Sequence, residues 1–151
     1  MRKNVVIIAI AIILSIGIGI GIGILVPKLQ QAALPEWKKE YPYIQEADYE
    51  SNMQGDKELL EEIKASGDIA DISREIYHYV YYEDEKAEEQ FVNDIQQYSY
   101  EVNVDTESKC ILITVNSTVE EEVIRKQVLN ILNLSSKYNL QYDGWETTIC
   151  S

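Results

Sequence analysis

"LQYDGWETTICS", residues 140–151, closes the chain, and its reading decides the fold. It begins like a strand, breaks at the turn signal Asp143-Gly144, and places Trp145 directly after the break. Trp145 is one of two tryptophans, the other being Trp37. A large ring near the end has a structural use if the last strand pairs beside the first. It then closes the core, and Gly144 lets the backbone bend or bulge just before the indole docks. A binding role for the same residues is the alternative.

Working back from that strand, "STVEEEVIRKQVLNILNLSSKY" (117–138) is a long helix. Thr118 and Glu121 have capping-box spacing. Ile124, Val128, Ile131, Leu132 and Ser135 recur on one face. Before it, "YSYEVNV" (98–104) and "CILITVN" (110–116) read as two strands joined by the polar turn "DTESK". The second is apolar on both faces and is expected at the centre of a covered sheet. "EDEKAEEQFVNDIQQY" (83–98) is helical, with acids crowding its first turn and Ala87, Phe91, Ile95 and Tyr98 at helical spacing. "ISREIYHYVYY" (72–82) has the β-branched and aromatic content of a strand. It puts Ile76, His78, Val80 and Tyr82 on one face and Tyr77, Tyr79 and Tyr81 on the other. A short helix is expected over "DKELLEEIKASG" (56–67), capped by Asp56 and stopped by Gly67.

The order from residue 72 is therefore β-α-β-β-α-β. This predicts an α+β, ferredoxin-like sandwich with an extra N-terminal helix, in which helices cover one face of an antiparallel sheet. The expected domain covers residues 56–151. Residues 27–55, punctuated by Pro27, Pro35 and Pro42, read as a stalk. In it, Trp37, Tyr41 and Tyr43 suit either a membrane interface or packing on the domain.

The first residues differ in kind. After a four-residue tail (1–4), residues 5–26, "VVIIAIAIILSIGIGIGIGILV", hold no charge in 22 positions. As a helix this run measures about 33 Å, enough to span a bilayer. The apolar core of a cleaved signal peptide is shorter and ends at a small-x-small site, so a retained single transmembrane helix and a cell-membrane location are expected. Arg2 and Lys3 before the run and Lys28, Lys38 and Lys39 after it leave the side of the soluble part open. Gly17/Gly21 and Gly19/Gly23 are G-x-x-x-G pairs, which allow a homodimer through close helix approach. An Ile/Gly repeat without a partner is the plainer reading.

The whole chain carries −13; residues 27–151 keep 11 of the 13 Lys/Arg and all 26 Asp/Glu, hence −15. Such a surface repels phosphates, so no direct nucleic-acid binding is expected. The acids gather as Glu83, Asp84, Glu85, Glu88 and Glu89 and as Glu120, Glu121 and Glu122. These are the candidate partner surface, with a solvated helix face as the bland alternative. No calcium-loop order, P-loop or G-x-G-x-x-G is present. His78 is the only histidine and builds neither a metal site nor a triad. No metal, cofactor or catalytic residue is expected, and the domain reads as non-enzymatic. Cys110 and Cys150 are the only cysteines. With the third and fourth strands flanking the first, they stand about two strand spacings, 9–10 Å, apart, beyond ordinary disulfide reach. Because Cys150 lies at the chain end, the pairing stays open.

"SSKYNLQYDGWET" (135–147), following a long amphipathic helix, resembles the C-terminal signature of the RraB family, regulators of ribonuclease E activity. "GDIADISREIYHYVYYEDEKAEEQFVNDIQQYSYEV" (67–102) is similar to that family's first strand and helix. The specific cue is Tyr142, Asp143, Gly144 and Trp145. The resemblance implies a ferredoxin-like fold without catalytic activity that binds ribonuclease E and restrains RNA cleavage. Two readings follow. One is a membrane-anchored regulatory domain binding a protein partner, such as a ribonuclease with a basic segment, through its acidic surface. The alternative is an extracytoplasmic interaction or structural subunit of an envelope assembly.

Overall fold

The computed structural model describes residues 34–151. The described residues divide between two units at residues 39 and 40, and the second, 40–151, is compact. In the first, the described residues 34–39 enter the short helix α1 (Glu36–Glu40), where Lys39 pairs with Glu36 at 2.9 Å.

The second unit is α+β. It contains α2 (Glu46–Ala65), β1 (Arg74–Tyr81), α3 (Glu85–Ile95) with a 3₁₀ turn at Gln96–Tyr98, β2 (Glu101–Asp105), β3 (Cys110–Ser117), α4 (Glu121–Tyr138) and β4 (Gln141–Thr147). The four strands form one antiparallel sheet in the order β2-β3-β1-β4. The last strand does pair beside the first, with Trp145 opposite His78. The expected bulge is present as well. Tyr142 pairs with Val80 and Gly144 with Tyr79, so Asp143 is the extra residue, and Gly144 takes φ +118°.

Alternation along the strands sorts the side chains. Ile76, His78 and Val80 of β1 and Ile111 and Ile113 of β3 are fully buried. They meet Phe91 and Ile95 of α3 and the α4 face of Ile124, Val128, Ile131, Leu132 and Ser135, all buried as the spacing predicted. Asp84 caps α3, its carboxylate accepting from the Lys86 N–H at 3.1 Å. β3 is central, but the described helices cover one sheet face, not two. Tyr77, Tyr79 and Tyr81 are absent from the core clusters and point to the other side.

Three local expectations give way. The helix expected to begin at Asp56 is the middle of α2, which starts ten residues earlier after Gln45. Its inner stripe is Tyr49, Met53, Asp56, Leu60 and Ile63, at 3- and 4-residue spacing with a carboxylate in an apolar place. That carboxylate imitates a cap in the sequence. The stalk boundary at residue 55 moves accordingly: the compact unit starts at residue 40, and Tyr41 and Ile44 are buried in it. The capping box of Thr118 and Glu121 does not form. Val119 is buried, its N–H bonded to the Ala70 carbonyl at 3.0 Å, so α4 starts only after Glu120, and Thr118 Oγ1 donates to the Glu120 carboxylate instead.

The expected transmembrane helix over residues 5–26, the tail before it and the homodimer through Gly17, Gly19, Gly21 and Gly23 lie outside the described residues. Among the described residues no helix is long and apolar enough to cross a membrane. On that finding the single-pass cell-membrane location is corrected and withdrawn.

Candidate functional site

β4 divides its motif between the two sides of the sheet. Tyr142 and Trp145 turn toward the helices, while the bulged Asp143 lies on the open side, where its charge reaches Tyr81. The indole of Trp145 packs with Ile63, Ile76, Val119, Ile124 and Val128 and is 8% exposed. Its Nε1–H donates to Asp56 Oδ1 at 2.8 Å, tying α2 to β4. Burial raises the Asp56 carboxyl to about 6, against the opposing pull of the indole N–H and of Arg125. The other oxygen, Oδ2, is buried without a hydrogen-bond partner. An ionised carboxylate is costly in such a place.

Beside this pair runs a buried polar chain. Tyr142 OH lies 2.9 Å from His78 Nδ1, and His78 Nε2 lies 3.1 Å from Gln127 Oε1. Gln127 Nε2 donates to Ser117 Oγ at 2.7 Å, and Ser117 Oγ donates to the Thr118 carbonyl at 3.2 Å. The amide oxygen accepts only, so Nε2 carries the imidazole proton and Nδ1 accepts from the phenol; the tautomer is assigned from this chain. Burial holds His78 down to about 4, leaving it neutral, and burial with the nearby Asp56 charge lifts Tyr142 well above the ordinary phenol. Both imidazole nitrogens are thus engaged in binding β1 to α4 and β4. What the arrangement does chemically is fix a register.

A second buried polar group anchors the chain end. Arg74 and Asp68 form an ion pair with side chains 4% and 1% exposed. The guanidinium also donates to the Ile69 and Thr148 carbonyls at 2.7 and 3.0 Å, and Asp68 accepts from the Cys150 N–H at 2.8 Å. The pairing holds Asp68 below the usual carboxylate range. Cys110 and Cys150 are free thiols.

The sequence-predicted acids do not form one surface. Glu83, Asp84, Glu85, Glu88 and Glu89 gather where α3 leaves the C-terminal end of β1. Glu120, Glu121 and Glu122 gather where α4 leaves β3, whose end pairs with Arg74 at the opposite end of β1. A strand of that length keeps the clusters roughly 25 Å apart. Asp84 is spent as a cap, and Glu121 and Glu122 bind Arg125 at 2.5 and 2.7 Å. Among the described residues no group of three or more His, Cys, Asp and Glu side chains is placed to hold a metal ion.

The model of the family described as RraB, regulator of ribonuclease activity B, matches residues 54–147. The chain belongs to the RraB family. The RraB match begins within α2 and ends on the last residue of β4, taking in all four strands and both partners of the Asp56–Trp145 bond. No curated protein matches the chain. Of the buried polar residues that hold β4 and the chain end in place, Gln127, Asp68 and Arg74 escaped the sequence reading, and Asp56 was read only as a helix cap. The one signal for Asp56 was its 3- and 4-residue spacing from Met53 and Leu60.

Proposed function

We propose that the chain is a non-catalytic regulator that restrains a ribonuclease of the ribonuclease E type by binding it. The observation that carries this is membership of a family described as regulating ribonuclease activity, over a span that includes the whole sheet. The reading takes the domain as ferredoxin-like, in keeping with the β-α-β-β-α-β succession and the order β2-β3-β1-β4. It takes the protein as acting by occupancy. The buried His78 is used up by Tyr142 and Gln127, which suits a structural role. The net charge of −15 over residues 27–151 favours a basic polypeptide over RNA as the thing bound.

The test is a cleavage assay with purified ribonuclease E and a labelled RNA, with the full chain added in increasing amounts. Dose-dependent slowing, without RNA binding by the chain alone, is the expected result. Unchanged cleavage at saturating protein, or RNA cleavage by the chain itself, sinks the reading.

A further inference from the structure

The four strands carry one Arg or Lys, Arg74, and it is buried on the helix side against Asp68. The open side of the sheet therefore presents carboxylates without a cation of its own strands. Its centre is aromatic: Tyr77, Tyr79 and Tyr81 stand at alternate positions of β1, with Tyr81 38% exposed. Tyr77 donates its hydroxyl to Glu75, and Tyr79 donates to Glu146 Oε1 at 2.6 Å. These bonds hold two carboxylates beside the rings. Glu101 of β2 adds its charge near Tyr77, and Asp143 of the β4 bulge adds its charge near Tyr81. No described helix contributes to this side, because the core clusters draw on the opposite positions of every strand.

Aromatic faces set among carboxylates are complementary to guanidinium groups, which stack on rings and take carboxylates in a planar fork. Alternate residues of β1 are about 6.6 Å apart, the same repeat as alternate side chains of an extended segment. We infer that this open tyrosine face binds an extended, arginine-bearing segment of the restrained ribonuclease, not the acidic starts of α3 and α4. Two copies of the chain meeting through this face would set like charges against each other. The inference rests on the proposed function for the identity of the partner.

The test uses the full chain and a synthetic peptide of alternating arginine and glycine, with a lysine-for-arginine peptide beside it. Binding that weakens with salt and favours arginine over lysine is expected. Tyr79→Ala and, separately, Glu146→Gln each weaken it about tenfold, the scale of an interface anchor, while Glu85→Gln and Glu89→Gln leave it unchanged. A denaturation curve for each variant checks that it folds, and Asp143→Asn replaces any that does not. Absence of peptide binding, equal affinity for the lysine peptide, or loss from the α3 variants alone overturns the inference. So does sedimentation showing a dimer that the peptide does not disperse. The cleavage assay separates the two ideas. If Tyr79→Ala and Glu146→Gln still restrain the ribonuclease, the tyrosine face is refuted and the regulator reading stands. If the unaltered chain restrains nothing, that reading fails whatever the peptide does.

Discussion

Asp56→Asn separates two buried groups whose effects on stability oppose each other. Asp56 titrates near 3.8 when unfolded and about 6 when folded. Its folded-state pKa is raised, so its contribution is fully present below pH 3.8 and is lost as pH rises through about 6. His78 titrates near 6.5 unfolded and about 4 folded. Its folded-state pKa is depressed, so its contribution is present above pH 6.5 and is lost as pH falls through about 4. Each slope is about 1.4 kcal/mol per pH unit with opposite sign, so between about pH 4 and 6 the two cancel. Asn keeps an oxygen for the Trp145 N–H and cannot ionise. Its amide enters the place of the unpartnered Oδ2, at a cost of about 1 kcal/mol.

The variant is therefore expected to be more stable than the unaltered chain at pH 7, by about 2 kcal/mol net from an ionisation penalty of about 3. The difference between the two proteins should shrink steadily as pH falls from 6 to 4 and reverse toward pH 4, where Asp56 is protonated in the folded unaltered chain, its ionisation penalty is gone and only the amide cost of the variant remains; His78 is common to both and drops out. Urea unfolding at half-unit steps across this window measures it. The surface carboxylates are common to both proteins and drop out of the difference. Lys57, Glu121 and Arg125 line the same groove as Asp56, and Arg125 is the neighbouring charge that holds its carboxyl lower. Parallel profiles across the window, or a variant less stable at pH 7, would refute the claim that Asp56 is ionised at a cost in the folded state.

Trp145→Phe keeps an aromatic ring but removes the N–H to Asp56; a loss of about 2–3 kcal/mol in denaturant titration is expected, with less than that at pH 5, where the carboxyl is protonated and its orphaned state matters less. Arg74→Met leaves the Asp68 carboxylate buried and unpaired and should cost about 3–5 kcal/mol, whereas Arg74→Met with Asp68→Leu should recover much of it, which a double-mutant cycle reads directly. Gly144→Ala meets no atom within 4 Å at the new Cβ, so its expected loss of about 1–2 kcal/mol is conformational and should appear without any change in the core packing seen by near-UV circular dichroism.

The parts that were legible in the sequence are those whose inward face repeats an apolar period, although in α4 the burial runs past that face through every residue from Gln127 to Leu132. In α4 and β1 the apolar period names the inner residues, and the core takes them without exception from Ile124 to Leu132 and from Ile76 to Val80. The bulge was legible too, since only a glycine accepts φ +118° and an acidic residue beside it has an open face to turn to. What periodicity hid is polar burial. Asp56 occupies a core position of α2 because an indole N–H from the far end of the chain needs an acceptor there. Asp68 and Arg74 are buried because each finds the other across a loop and the C-terminal backbone supplies the remaining bonds. Those partners are 89 residues away in one case and 74 in another, so no local pattern announces them. The acids of the expected partner surface were legible singly, but not their placement. Runs of acids at helix starts stand out in a sequence, and the strand order sets them at opposite ends of the sheet, with Asp84 capping α3 and Glu121 and Glu122 paired with Arg125. The carboxylates that share a face with the tyrosines are scattered singly over β1, β2 and β4, and only the strand order gathers them.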